Sequence, residues 1–494
     1  MSNPFQLQPI ENPPMPVPFF RFILTLTLLT ATATKIFAES PAYFRAGGGI
    51  AADDAAPLPE KIDEHKSLLW KTPLAPGHST PCVSGDSVYV TTFEKGKEPG
   101  TGKLFTVALS RDTGEIRWSR EAPVKKIEPY HASSSPATAS PACDGERVYS
   151  FFGSYGFLCY DLAGKLVWEK PLGPFQDEFG AASSPVLVDG KLVINEDHDR
   201  DNFLLCLDAK TGNELWKTPR PGFTRSYSTP VVWTAGERKQ LLVTGALQLV
   251  SYDLETGKQL WSQDGLARIM NTTPTTGEGL LFISAWSPGG DTDARIAMEP
   301  WTEAVRLWDK NKDGKLVREE VDNKEVLDRF FRIDLNQDLG LDKEEWGKYA
   351  SVFEKARNAF FALRPAASSA GQPEVAWEHF KSIPYVPSPL AYRGVVYLAK
   401  EGGIVTAYDA KSGDILKNGR IKGTGAYYAS PVAGDGKVYV VSDKGVISVL
   451  KAGSEWEVLS SRDLMERTVA TPVVSGGKLF VRSEAAMYCF GVPK

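Results

Sequence analysis

One phrase keeps returning along the chain, and it limits what the chain can fold into. Residues 203–216, FLLCLDAKTGNELW, read as a strand, a turn and a strand. Phe203 to Leu207 is an apolar run of strand length. Asp208 to Gly212 is turn chemistry: the Asp bonds nearby backbone and the Gly takes a positive φ. Glu214 to Trp216 restarts a strand with a large aromatic. The phrase recurs as SRDTGEIRW (110–118), DLAGKLVW (161–168), DLETGKQLW (253–261) and DAKSGDILK (409–417), the last with Lys417 in the place of Trp. A single hairpin of this kind says little, but five versions define a repeat protein.

A second marker opens each unit. Ser or Thr followed by Pro recurs at Pro81, Pro141, Pro185, Pro230, Pro274, Pro389, Pro431 and Pro472, with spacings of 60, 44, 45, 44, 115, 42 and 41. Proline is tolerated at the first residue of a strand. A unit of ~40–45 residues with about four strands is a β-propeller blade. The last unit, VATPVVSGGKLFVRSEAAMYCFGVPK, holds three strands, while SLLWKTPL (67–74) ahead of the first marker has the Trp-bearing outer-strand pattern. The expected fold is all-β: an eight-bladed propeller closed by the N-terminal strand, with no long free edge.

The spacing of 115 marks an insertion. It falls after GLLFISAWS (279–287), the second strand of blade 5, and the blade resumes with NAFFALRP (358–365) and EVAWEHF (374–380). The predicted organisation is a signal peptide at 1–38, propeller at 67–287, insert at 288–357 and the rest of the propeller at 358–494. The insert, the loops 94–103 and 195–202 and the Pro-rich joint 122–136 all belong on one face of the ring.

The insert carries DKNKDGKLVREE (309–320). Asp309, Asn311, Asp313, the Lys315 carbonyl and the bidentate Glu320 have the spacing of a twelve-residue calcium loop, with Gly314 at its sharp turn. A second loop, DLNQDLGLDKEE (334–345), offers Asp334, Asn336, Asp338, the Gly340 carbonyl, Asp342 and Glu345. Its turn position is Leu339, and a branched residue at positive φ costs about 1 kcal/mol. Between the loops one helix is expected, capped near Asp322 or Asn323, with Val326, Leu327, Phe330 and Phe331 facing inward. A longer helix, 343–361, is expected to lead back to the propeller.

Net charge is −5, and no Lys/Arg block is present, so nucleic acid is not an expected partner. The apolar run Phe22–Ala33 after Arg21 is too short for a membrane span. It fits the core of a secretory signal cleaved after Ala38, with either Met1 or Met15 as the start. A secreted or periplasmic, monomeric protein is expected. The five cysteines read as buried thiols, three of them at one repeat position: Cys159, Cys206 and Cys489.

No catalytic template matches, and no catalytic residue is assigned. His198, within NEDHDRD (195–201), reads as part of a solvated loop. The run before each marker should approach the channel mouth, placing His78, Tyr227, Asn271, Tyr385, Tyr427 and Tyr428 there or in packing between blades.

The D-A-K-T-G-x-x-L-W phrase resembles the repeat of pyrroloquinoline-quinone (PQQ)-type propellers over 67–491, and the insert looks like an EF-hand pair. That family includes quinone-dependent alcohol and glucose dehydrogenases and also non-enzymatic members, such as the propeller lipoprotein of outer-membrane protein assembly. Its alcohol dehydrogenases carry two adjacent cysteines over the quinone and an acid/Asn/Asp calcium site in the tunnel. This chain has no adjacent cysteine pair, and its calcium motif lies in the insert. The resemblance therefore implies a calcium-binding propeller acting as a binding or assembly module, with a protein or small molecule at the loop-rich face. Oxidation of alcohols or sugars with PQQ is the alternative; fold alone does not decide between them.

Overall fold

The computed structural model describes residues 42–235, 238–291, 297–366 and 371–492; the expected signal segment 1–38 lies outside them. The described chain forms eight four-stranded antiparallel sheets and one two-stranded ribbon. These sheets are the blades of a propeller. Blade 3 is representative, with Val186–Val188, Lys191–Glu196, Phe203–Asp208 and Glu214–Pro219 paired in sequence order. Its third strand is buried on both faces because a neighbouring blade covers each, whereas the outermost strand is half-exposed. The continuous apolar run FLLCL and the mixed ELWKTP are the sequence forms of those two positions.

The Ser/Thr of each marker links one blade to the next. Ser140 Oγ accepts the Thr80 amide (2.9 Å), Ser184 Oγ accepts Ser140 (3.0 Å) and Thr229 Oγ1 accepts Ser184 (3.1 Å). The series continues through Thr273, Ser388, Ser430 and Thr471, so seven successive bonds run round the axis. The proline that follows contributes no N–H, so nothing is left unpaired where the strand begins. The innermost strands of the first and last blades pack against each other.

Outside the ring, an outer-strand Trp makes the corresponding link in several blades, whereas Trp261 donates to Gln240 of its own blade. Trp118, Trp168, Trp216 and Trp377 each donate Nε1 to a carbonyl in the next blade's turn at 2.9–3.1 Å. Each indole lies on the turn glycine, and a Cβ on Gly212 (φ +73) would stand 2.7 Å from Trp168. The glycine thus serves both the turn and the close approach. Lys417, in the place of a Trp, has its ammonium 5.0 Å from the ring centre of Trp456, which is supplied by the following blade. Leu68–Pro73 pairs antiparallel with Ala486–Gly491 as the fourth strand of the last sheet.

All five cysteines are buried, and burial pushes the thiols of Cys159, Cys206 and Cys489 up to about 12.

The insert contains helices α1 (Trp301–Trp308), α2 (Lys324–Leu327), α3 (Phe330–Ile333) and α4 (Lys343–Lys355) around Leu316, Val326, Ile333, Leu341 and Trp346. Two expectations need correction. The single helix between the loops is two short ones, capped by Asn323 and broken at Arg329 (φ −120, ψ 4). The break changes the helical phase, so Val326 and Phe330 are buried while Phe331 is 59% exposed. The second helix ends at Lys355 rather than 361. There the Asn358 side chain clasps both the amide (2.9 Å) and the carbonyl (3.1 Å) of Ser287, joining the two ends of the insert where it leaves the blade.

Candidate functional site

The channel is a blind well of about 240 Å³. Thr80, Ser140, Ser184, Thr229, Thr273 and Thr471 of the hydroxyl belt form its wall, and Phe179, Tyr227, Tyr385 and Tyr428 add aromatic surface. His78 and Asn271 also line it. Five of the six residues expected at the mouth are therefore there. Tyr427 is not: its hydroxyl donates to the Gly423 carbonyl (2.8 Å) and its ring is buried between blades. The lining as described has neither Lys, Arg, Asp nor Glu.

Sequence reading missed what closes the well. Residues 42–50 cross the channel, bridging to blade 2 at Cys143 and to blade 7 at Ala433, and Phe44 faces the cavity. Arg45 (φ +54) is buried, and its guanidinium donates to the Pro389 carbonyl (2.6 Å) and Thr275 Oγ1 (3.2 Å). Burial pushes its pKa down to about 10. This segment lies outside the repeats and carries no marker.

Beside the well lies a buried ionic network that overturns the solvated-loop reading of His198. His198 is 3% exposed, with Nε2 2.6 Å from Glu196 Oε2 and Nδ1 3.4 Å from Asp177 Oδ2. Phe175 stacks on its ring at 4.4 Å. Burial works to lower its pKa, but Asp177 and Glu196 outweigh it and hold the imidazole at about 10. Arg220 forks onto Asp197 with two bonds of 2.7 Å, and Arg225 pairs with Asp199 and Glu178. Asn195 to Asp199 are thus all buried, and only Arg200 and Asp201 of this run face solvent. The missed signal was the pair of arginines in PRPGFTRSY (219–227), one for Asp197 and one for Asp199. The network reaches the well through Tyr227, whose hydroxyl donates to Asp177 Oδ1 at 2.8 Å.

The insert's two loops have matching backbones. Lys312 and Gln337, at the fourth position of each, have φ +63 and +58. Gly314 and Leu339, at the sixth, have φ +80 and +71. Leu339 therefore takes the strained conformation itself, and the turn does not shift to Gly340. Glu320 Oε1 accepts the amides of Lys310 and Asn311, and Glu345 Oε1 accepts those of Leu335 and Asn336. Asp309 Oδ2 accepts Gly314 (3.1 Å), as Asp334 Oδ2 accepts Leu339 (2.9 Å). Asp313 and Asp338 accept Lys315 and Gly340 in the same way. Leu316–Val317 pairs with Gly340–Leu341, joining the loops back to back. The predicted ligand residues are thus gathered into two like turns, with the carboxylates bonded to loop amides; no three-residue metal cluster of His, Cys, Asp or Glu occurs among the described residues. The donor set is all oxygen, as a hard cation requires.

A family model described as outer membrane protein assembly factor BamB matches residues 61–199 and 200–327. No curated protein matches the sequence. Among solved structures, BamB from Moraxella catarrhalis is similar at 11% identity and a TM-score of 0.50, covering 85% of this chain and 100% of that one. The quinohemoprotein alcohol dehydrogenase ADHIIG from Pseudomonas putida HK5 is similar at 12% identity and a TM-score of 0.51, covering 89% and 78%. The computationally designed Ika8 protein gives 11% and 0.50, covering 86% and 100%. At these identities the likeness is one of fold.

Proposed function

The chain belongs to the family described as outer membrane protein assembly factor BamB, and on that premise we propose an exported, calcium-binding PQQ-like propeller that holds a ligand in its central well. The observation that carries this reading is the lining of the well. Aromatic rings, Ser and Thr hydroxyls, Asn271 and His78 surround a closed-ended cavity. The belt hydroxyls already accept backbone amides, which leaves their protons for a ligand. Such a wall suits an uncharged, oxygen-rich molecule of carbohydrate type, held by stacking and by hydrogen bonds. In this reading Leu68–Pro73 latches the ring, and export rests on the apolar run Phe22–Ala33. No helix of the described residues is long and apolar enough to cross a membrane.

The second reading is a quinone-dependent oxidoreductase, a fold neighbour of this chain. PQQ carries three carboxylates. The lining offers neither Lys nor Arg to them, and the buried Arg45 guanidinium is engaged by carbonyl and hydroxyl oxygens. The residues present do not fit that group. Titration calorimetry with neutral sugars, set beside PQQ with calcium, separates the readings. Heat of binding with a neutral sugar, weakened at least about tenfold (~1.4 kcal/mol) by Tyr428→Ala, is expected. A bound quinone chromophore with reduction of a dye by alcohols would reverse the choice.

The calcium sites of this reading are the two loops of the insert. Asp309, Asn311, Asp313, Glu320 and the Lys315 carbonyl would hold the first ion. Asp334, Asn336, Asp338, Glu345 and the Gly340 carbonyl would hold the second. The first has an unstrained glycine at its turn, the second a strained leucine. Asp309→Ala is therefore expected to abolish the tighter event in calcium calorimetry. Loss of that event in Asp334→Ala instead would reverse the ranking.

A further inference from the structure

We infer that residues Gln176–Phe179 form a strap through which the second calcium loop controls the wall of the well. This deepens the calcium reading above and rests on it. Each side chain of the strap engages a neighbour outside it. Gln176 Nε2 donates to the Leu335 carbonyl, the second residue of the loop, at 2.6 Å. Glu178 pairs with Arg332 of α3 (3.2 Å) and Arg225 of the buried network (2.5 Å). Asp177 accepts the Tyr227 hydroxyl on one oxygen and faces His198 with the other. Phe179 lines the well and meets the Tyr227 ring edge-on at 6.0 Å. Four consecutive residues thus run from a calcium loop to the ligand wall.

The strap has a reason to respond. Glu345 Oε1 accepts the amides of Leu335 (2.9 Å) and Asn336 (3.1 Å). A bidentate role on calcium turns both oxygens of Glu345 towards the ion and requires those amides to re-bond. The Leu335 peptide then moves, and its carbonyl is the group that Gln176 holds. A ligand shifts a structure only through contacts that differ between its states. This shared peptide is such a contact. The first loop is placed differently: its Lys315 pairs with Asp338 within the insert.

Hydrogen exchange with calcium as the only probe tests the strap. In the wild type, calcium should slow exchange at least about tenfold in 334–345 and also in 175–182 and 224–229. The double variant Gln176→Ala/Arg332→Ala should keep the effect in 334–345 and lose it in 175–182, with an unchanged melting curve showing that it folds. A wild-type effect confined to the insert overturns the inference, as does a strap that still responds in the double variant. No effect in 309–320 or 334–345 removes the calcium reading itself, and the strap with it.

Discussion

His198→Gln is expected to lower the free energy of unfolding by about 3–5 kcal/mol at pH 7, the usual cost of leaving a buried charge without its partner. The imidazole is 3% exposed and stands between Glu196 and Asp177. Glutamine can donate to one of them but brings no charge to either. The pH dependence has a definite sign. The folded pKa of His198 is raised to about 10, above an unfolded value of about 6.5. Its contribution is therefore complete below about pH 6.5 and is lost as pH rises towards 10. The gap between wild type and variant should shrink by about 1.4 kcal/mol per pH unit across that window. Urea unfolding at pH 7, 8, 9 and 10 measures it. A gap that does not change with pH would mean that His198 is buried neutral, and that the Glu196–His198–Asp177 arrangement is packing without charge.

The architecture was legible because a propeller writes the same constraint into every blade. The Ser/Thr-Pro marker, the D-x-x-T-G turn and the Trp each serve contacts between neighbouring blades, so they recur at fixed spacing. The marker was legible even before its hydroxyl had a role, which the belt supplies. Placing the marker at the axis also placed Tyr227, Tyr385 and Tyr428 at the well. The illegible parts are those that occur once. Residues 42–50 have no repeat to be compared with, and their role depends on reaching blades 2 and 7 at once. His198 sits in a run that looks hydrophilic because its charges are paired inside the protein. Arg220 and Arg225, the partners of Asp197 and Asp199, lie 23 and 26 positions further along the chain, beyond the reach of any local pattern. Phe331 went wrong for a local reason: a single break at Arg329 rotated a helical face that periodicity alone had carried straight through.

Trp70→Ala is expected to cost about 3–5 kcal/mol, as for a large aromatic removed from a core. Trp70 is 7% exposed, lies 6.1 Å from Phe480 and donates to the Arg111 carbonyl at 3.0 Å. It also covers Gly114, where a Cβ would meet the indole at 2.5 Å. These contacts differ from those of Trp118 or Trp168 in one respect: the strand that carries Trp70 pairs with Ala486–Gly491, at the other end of the described chain. Loss of the indole thus loosens the joint between the last blade and the first, and the strand 486–491 gains an open edge. Trp118→Ala removes the same ring between blades that follow each other in sequence, where no chain end is freed. Both variants should lose stability in urea, but Trp70→Ala should also associate on size-exclusion chromatography as protein concentration rises. Leu69→Ala, at a neighbouring side chain that is 44% exposed, is the control and should change stability by at most about 0.5 kcal/mol. If Trp70→Ala behaves like Leu69→Ala, the N-terminal strand does not hold the ring shut, and closure rests on the packing of the innermost strands of the first and last blades and on contacts such as that of Arg482 with Ser79.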